Sequence, residues 1–498
     1  MGGESRSKKV IRVLFIASEA APLVKAGGLG DVAGALPAAL NRLGAVVGGA
    51  SAEVRLVIPF YNSIKTSNIS ATFIRKFKVS TLNGAVEAGL FETSLSGVVT
   101  YLVSGAPVSE SASIYGKDFK EDAEKFVFFS LACLKIPSLI GWKCDILHAN
   151  DWHTAVAIHH LATAKKKNAS LQTTRSVLTI HNLPFMGSGV DEALVKYKIS
   201  PSNDDNLPNW GKTQPLPMGL AAADRIVAVS PTYAKEILTP EYGCDLQDFL
   251  RKRSGHLTGI LNGIDVESWD PATDPALKFN FAVSNFTTRS QNKRALLAEF
   301  GFPVESDVPL LALVSRFDWQ KGIDIIIAGL RAMKNFAWRV ILLGTGERNL
   351  EQACRDLEDE MPGKVRAAIL FDVQLSRRIY AGADLLLMPS RYEPCGLSQM
   401  YAMRYGCLPI ARATGGLADT VSDPLSSTVP TGFLFPNAEA SSFITALKRA
   451  LRLYKKRPFW QAMQFNAMSR DFSWSVSARN YLDLYTQLSE NSSIMSEP

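Results

Sequence analysis

The sequence predicts an α/β protein built from two doubly wound, parallel-sheet domains facing a cleft. Three observations carry this expectation. Short apolar, β-branched runs alternate with longer amphipathic stretches, the pattern of strands covered by helices. The alternation pauses at a segment rich in Pro and turn residues, Asn262–Asn292, and then restarts. The 498 residues also exceed what one hydrophobic core usually organises.

In the first half the strands are expected at Ile11–Ala17, Glu53–Pro59, Asp145–His148, Ser176–Ile180 and Arg225–Val229. Segments 71–79, 87–93 and 98–103 read as hairpin strands, because no helical stretch separates them. The second half offers Pro309–Ser315, Arg339–Leu343, Arg366–Phe371, Asp384–Met388 and Cys407–Ala411, each followed by a plausible helix. The domains expected are 10–261 and 262–470, with a final helix at 471–488. No period of repetition suggests a solenoid.

Composition excludes several classes. Hydrophobic residues make up 47% and charged residues 20%, with no long uncharged apolar run, so neither a membrane span nor a disordered chain is indicated. Lys+Arg 54 against Asp+Glu 47 leaves +7, too thin an excess for a nucleic-acid protein but compatible with anionic small substrates. Six Cys without a CxxC pair favour a reducing compartment. The N-terminal MGGESRSKKV lacks the apolar core of a secretory signal, and Arg6 stands where a myristoylation signal needs Ser or Thr.

Four motifs carry chemistry. The first strand ends at Ser18–Glu19 and leads to Lys25-Ala-Gly-Gly-Leu-Gly-Asp31, where glycines opening a helix either let backbone N–H groups approach an anion beside a lysine or only permit close packing in a tight strand-to-helix turn. Ser315-Arg316-Phe-Asp-Trp-Gln-Lys321-Gly322 follows a strand, and two cations at a helix start are electrostatically costly without an anion. Pro389-Ser-Arg-Tyr-Glu393-Pro-Cys395-Gly396 follows another strand, with a helix expected from Cys395 or Gly396. There Glu393 is either a sugar-binding or catalytic carboxylate or a helix cap. Cys395 has no sequence-near His to activate it, and reads as a small residue by helix N–H donors rather than a nucleophile. Thr414-Gly415-Gly416-Leu417 repeats the glycine-into-helix pattern as a second possible nest of donors. His148, His153, His159 and His160 show no zinc spacing, and no metal site is expected. His181 ends a strand, where it either hydrogen-bonds a ligand or is a core imidazole satisfied by backbone.

KAGGLGDV, HANDWH, the SRF…QKG block, SRYEPCGLSQMYAMRYG and TGGLADTV, in this order, closely resemble the bacterial glycogen synthases and the plant or algal starch synthases. The resemblance spans about Val10 to Tyr485 and implies the GT-B fold, two Rossmann-like domains with an interdomain active site, a C-terminal helix returning to the first domain, and no metal or other cofactor. It implies that Lys25, Gly28 and Asp31 line the donor site, that Arg316 and Lys321 hold the diphosphate, and that Glu393 and His181 address the transferred glucose. Cys395, Gly396, Thr414, Gly415, Gly416 and Leu417 would supply phosphate and sugar contacts, and Phe371 would pack on adenine. Asn262 and Asp151 match cleft positions, and Tyr115 matches a tyrosine near the active site. Eight residues after Glu393, where relatives outside this branch carry a second acid, stands Tyr401.

The expected reaction is retaining transfer of glucose from ADP-glucose to the non-reducing end of an α-1,4-glucan or maltooligosaccharide, with no nucleic-acid or membrane partner. A cytoplasmic location is expected for a bacterial source and a plastid for a eukaryotic one. A nucleotide-sugar epimerase on the same fold and a catalytically idle glucan-binding scaffold are the alternatives.

Overall fold

Backbone polar groups buried between helices must pair within a sheet, and the apolar runs do so in two separate arrangements. The computed structural model describes residues 9–43, 50–67, 69–111, 113–116, 119–304 and 307–494. The N-terminal stretch 1–8, read above for targeting signals, lies outside them. The chain divides into two compact units, one of Met1–Gly263 with Trp474–Pro498 and one of Ile264–Ser473.

In the first unit the described strands are β1 (Lys9–Ile16), β2 (Ala50–Pro59), β3 (Thr72–Thr81), β4 (Gly84–Leu95), β5 (Val98–Gly105), β6 (Ile146–Asn150), β7 (Arg175–Ile180), β8 (Arg225–Ala228) and β9 (Leu257–Gly259). They form one sheet in the order β3-β4-β5-β2-β1-β6-β7-β8-β9. Only β3–β4 and β4–β5 are antiparallel, as expected for strands joined without a helix. The order reverses direction between β1 and β6, so the loops leaving those two strands diverge and open a crevice at their C-terminal ends. The C-terminal half of β1 is buried on both faces, which is why it reads as a continuous apolar run, while β6 is buried throughout and carries His148 and Asn150 within it.

The helix expected at 471–488 runs Trp474–Ile494 and packs on the helix Gly28–Arg42 and on β1 and β2. Its Tyr485 hydroxyl lies 2.6 Å from His148 Nδ1, while His148 Nε2 lies 2.7 Å from Thr179 Oγ1. Burial lowers His148 to about 3, so the imidazole is neutral and uses one nitrogen as donor and the other as acceptor. A histidine that invited a metal reading is thus a structural link between β6, β7 and the last helix.

The second unit holds β10 (Leu310–Val314), β11 (Arg339–Leu343), β12 (Val365–Ala368), β13 (Leu385–Met388), β14 (Leu408–Arg412) and β15 (Phe433–Phe435), all parallel, in the order β12-β11-β10-β13-β14-β15. Here the reversal falls between β10 and β13. Within the turn-rich segment 262–292, helix Arg289–Glu299 already begins before its end. Two further corrections concern strands. The run expected to extend through Phe371 stops at Ala368, and the three-residue β9 and β15 were not foreseen because three residues carry no periodicity. Among the described residues no helix is long and apolar enough to cross a membrane.

Replacing Tyr485 by Phe leaves a buried His148 nitrogen without its partner, which should cost about 1–3 kcal/mol. Urea unfolding of Tyr485→Phe checks this; an unchanged midpoint would show the hydrogen bond to be energetically idle.

Candidate active site

At the strand-order reversal of the second unit, the loops after β10 and β13 meet. Lys321 Nζ lies 2.8 and 2.6 Å from the two oxygens of Glu393, and Ser390 Oγ donates to Glu393 Oε2 at 2.9 Å. Glu393 is buried and Lys321 nearly so. The main chains are laced as well: Arg391 N–H donates to the Gln320 carbonyl at 2.8 Å, and Gln320 Nε2 donates to the Tyr392 carbonyl at 3.1 Å. Arg316, Lys321, Ser390, Glu393, Gly396 and Ser398 contribute to the lining of a cavity of about 150 Å³ at this crossing. The Arg316 side chain is 69% exposed and makes a 3.3 Å ion pair with Asp318.

The anion demanded by two cations at a helix start is therefore supplied internally. Asp318 caps the 3₁₀ turn Trp319–Lys321, accepting the Lys321 N–H at 3.0 Å, and Glu393 neutralises the Lys321 ammonium. The helix expected to begin at Cys395 or Gly396 begins instead at Ser398. Gly396 takes the left-handed region, φ 70°, which interrupts any helix there. Cys395 is accordingly buried in the loop, its carbonyl accepting from Gln399 Nε2 at 3.1 Å.

Thr414 precedes the short helix Gly415–Thr420. Two donors of the possible nest are engaged within the chain: Gly416 N–H donates to the Glu393 carbonyl at 3.0 Å and Leu417 N–H to the Thr414 carbonyl at 3.0 Å. The glycine pair serves a close approach instead. A Cβ at Gly415 would stand 2.0 Å from the Glu393 carbonyl oxygen, and one at Gly416 would stand 1.9 Å from that of Cys395. Phe371 lies in the loop beyond β12, 85% exposed. Tyr401, at the position of the missing second acid, stacks on Trp269 with centroids 4.0 Å apart.

In the first unit the corresponding loops follow β1 and β6. Lys25 and Asp31 pair at 2.7 Å, and Asp31 sits in the first turn of helix Gly28–Arg42, where the helix dipole favours a carboxylate. Burial raises Asp31 above its ordinary value, opposed by Lys25. Asp151 has φ 54° and opens helix Asp151–Lys165. Its Oδ1 accepts the His181 N–H at 2.6 Å and the Asn182 N–H at 3.4 Å, joining β6 to the end of β7. Burial pushes Asp151 up to about 7, against the pull of those two amides. His181 keeps some solvent contact, yet its surroundings lower it to about 3, leaving it neutral. Asn150 Nδ2 donates to the Ile16 carbonyl at 3.0 Å, so its Oδ1 accepts from His181 Nε2–H at 2.9 Å and the other ring nitrogen is an acceptor. Asn262 is buried, and its Oδ1 has no hydrogen-bond partner among the described residues. Gly28 is open: nothing within 4 Å would meet a Cβ there.

The structure thus joins Lys25 with Asp31, Asp151 with His181, and Lys321 with Glu393. It adds Asp318, Ser390 and Asn150, each inside a motif already singled out, and Glu19, whose cue was an acid ending an apolar strand shortly before a glycine turn. Among the described residues no group of three or more His, Cys, Asp or Glu could hold a metal ion.

Asp151→Asn keeps an oxygen for both amides and tolerates the left-handed backbone. A carboxyl raised to about 7 from 3.8 binds more protons folded than unfolded, so wild-type stability falls as pH rises between those values. The melting temperature of Asp151→Asn relative to wild type should therefore climb from pH 5 to pH 8; a pH-independent difference would contradict the assignment.

Comparison with known proteins follows this geometry. Residues 12–252 match the family described as starch synthase catalytic domain, and residues 308–452 match glycosyl transferases group 1. The chain is 38% identical over 500 residues to the glycogen synthase of Aromatoleum aromaticum, covering 97% of this chain and 98% of that one. It is 40% identical over 492 residues to that of Streptococcus gordonii, covering 96% and 100%. Among solved structures, the catalytic domain of starch synthase IV from Arabidopsis thaliana, bound to ADP and acarbose, is similar with a TM-score of 0.86 at 32% identity, over 97% of this chain and 100% of that one. Sucrose-phosphate synthase from Thermosynechococcus elongatus shares the fold at a TM-score of 0.59 and 19% identity, over 97% and 100%. The chain is a GT-B glycosyltransferase and belongs to the glycogen and starch synthase family.

Proposed function

We propose that the protein transfers glucose from ADP-glucose to the non-reducing end of an α-1,4-glucan, with retention and without a metal ion. The observation that carries this reading is the Lys321–Glu393 pair set in a cavity at the strand-order reversal, with Arg316 at its rim. A diphosphate entering there competes for Lys321 and releases Glu393 to accept hydrogen bonds from sugar hydroxyls. Arg316 and Lys321 then stabilise the charge growing on the departing ADP. The leaving phosphate oxygen takes the acceptor hydroxyl's proton on the same face of the sugar, so no protein nucleophile is required. Tyr401, engaged by Trp269, offers no carboxylate for double displacement. His181, neutral with an acceptor nitrogen, suits a hydroxyl rather than an anion. Lys25, Gly28 and Asp31 are proposed donor-binding groups, with Phe371 an exposed aromatic surface for adenine. The ADP and acarbose bound by the starch synthase IV relative support this choice of donor and acceptor chemistry.

Radiolabelled ADP-glucose and UDP-glucose, each with glycogen and with starch granules, test the reaction directly. Label should enter glucan from ADP-glucose; conversion of the free donor without acceptor would mark an epimerase instead. Arg316→Ala and Lys321→Ala should each lower turnover at saturating donor by an amount equivalent to about 2.7–4 kcal/mol. Near-wild-type turnover in either would remove that residue from leaving-group stabilisation. Activity should persist in EDTA, and a complete loss restored by metal would overturn the metal-free mechanism.

A further inference from the structure

Glu19 is 1% exposed, and among the described residues no cation pairs with it. A buried carboxylate in that position needs several hydrogen-bond donors. It finds them in the turn that follows: Glu19 Oε2 accepts the N–H groups of Ala26 and of Gly27, the latter at 3.0 Å. The turn amides that the sequence offered to an incoming anion are thus already engaged by an internal one. Glu19 also lies beneath the first turn of helix Gly28–Arg42, since a Cβ at Gly30 would stand 3.1 Å from its Oε2.

The third donor comes from a distant segment. The Tyr115 hydroxyl donates to Glu19 Oε1 at 3.2 Å and lies 2.9 Å from Ser18 Oγ. Burial raises Tyr115 well above its ordinary value, so it remains a neutral donor. Tyr115 is in turn held by a charged pair buried on helix Phe119–Cys133. Lys125, fully buried, donates to Asp122 Oδ1 at 2.6 Å, to Ser111 Oγ at 3.0 Å and to the Ser113 carbonyl at 3.2 Å. Asp122 accepts the Gly116 N–H at 3.0 and 2.9 Å, and Ser113 Oγ donates to the Tyr115 carbonyl at 2.7 Å. The residues described on either side of Tyr115 are therefore tied to one ion pair.

We infer that Glu19 and Tyr115, anchored by the buried Lys125–Asp122 pair, are positioning residues that set the conformation of the Lys25–Gly28 turn for donor binding. This rests on the proposed role of that turn in holding ADP-glucose. Glu19 fixes the turn from within, so Lys25 and the open face of Gly28 are presented in one arrangement. The Lys125 pair transmits that order through Tyr115 without touching the donor.

The test uses the full-length chain and two readouts, amide hydrogen exchange at Ala26 and Gly27 and the affinity for ADP. Tyr115→Phe removes one donor to a buried charge, and should speed exchange at both amides and weaken ADP binding about tenfold, leaving the KM for glycogen unchanged. Glu19→Gln retains an oxygen for the two amides and should recover most of the affinity lost in Glu19→Ala. Lys125→Met should resemble Tyr115→Phe; if it fails to fold, the other variants carry the test alone. Wild-type exchange and ADP affinity in Tyr115→Phe, equal losses in Glu19→Gln and Glu19→Ala, or faster exchange with unaltered ADP affinity would each overturn the inference. Failure of the wild-type protein to bind ADP would overturn the donor reading, while unchanged exchange in the variants would overturn the inference whatever ADP does.

Discussion

Neither Lys321 nor Glu393 can be buried alone. Leaving one partner of such a pair uncompensated typically costs about 3–5 kcal/mol, so each side chain obliges the other to be present. The obligation extends to the backbone that carries them. Arg391, beside the pair, is clamped by Asp324 at 2.9 and 2.7 Å, and Arg412 donates to the Ser390 carbonyl at 2.7 Å and to that of Arg391. Three successive residues of the loop after β13 are thereby tied to the loop after β10, to helix Ile323–Ala332 and to the end of β14. Glycines at 415 and 416 let a further segment close on the same loop. The ion pair is the centre of this arrangement, and the function proposed above would exchange its partners rather than build new ones.

The first unit meets the same electrostatic problem by another route. Two of its buried acids, Glu19 and Asp151, stand at the strand-order reversal and accept main-chain N–H groups where Glu393 takes a cation. Amides cannot be drawn away as a lysine ammonium can, so these acids hold shape, whereas the proposed role of Glu393 is to change partner.

Most of the architecture was legible because strands covered on both faces appear as uninterrupted apolar runs, as in Leu310–Val314 and Leu385–Met388. The site motifs were legible for a related reason: parallel strands deliver their following loops to one edge, so residues just past a strand are those that can converge. What escaped was geometry that residue type does not encode. The left-handed φ of Gly396 delays a helix, and the amides of Gly416 and Gly27 are consumed by neighbours remote from, or ahead of, their own turn. Lys125 was invisible because a lysine within the run before Phe126-Val-Phe-Phe129 gives no sign that its partners lie in the preceding loop and turn of helix.

The return of Trp474–Ile494 to the first unit has a consequence for how the protein is made. The second unit is continuous, Ile264–Ser473, and its chain is complete before that helix is translated. The first unit emerges from the ribosome earlier but stays unfinished until that helix is translated, with His148 awaiting the hydroxyl of Tyr485. Nascent-chain maturation therefore runs out of sequence order: the later-made unit can close first, while the earlier-made one must remain soluble with an uncovered apolar surface over helix Gly28–Arg42. Premature termination near residue 473 would spare the second unit and leave the first one without its last helix.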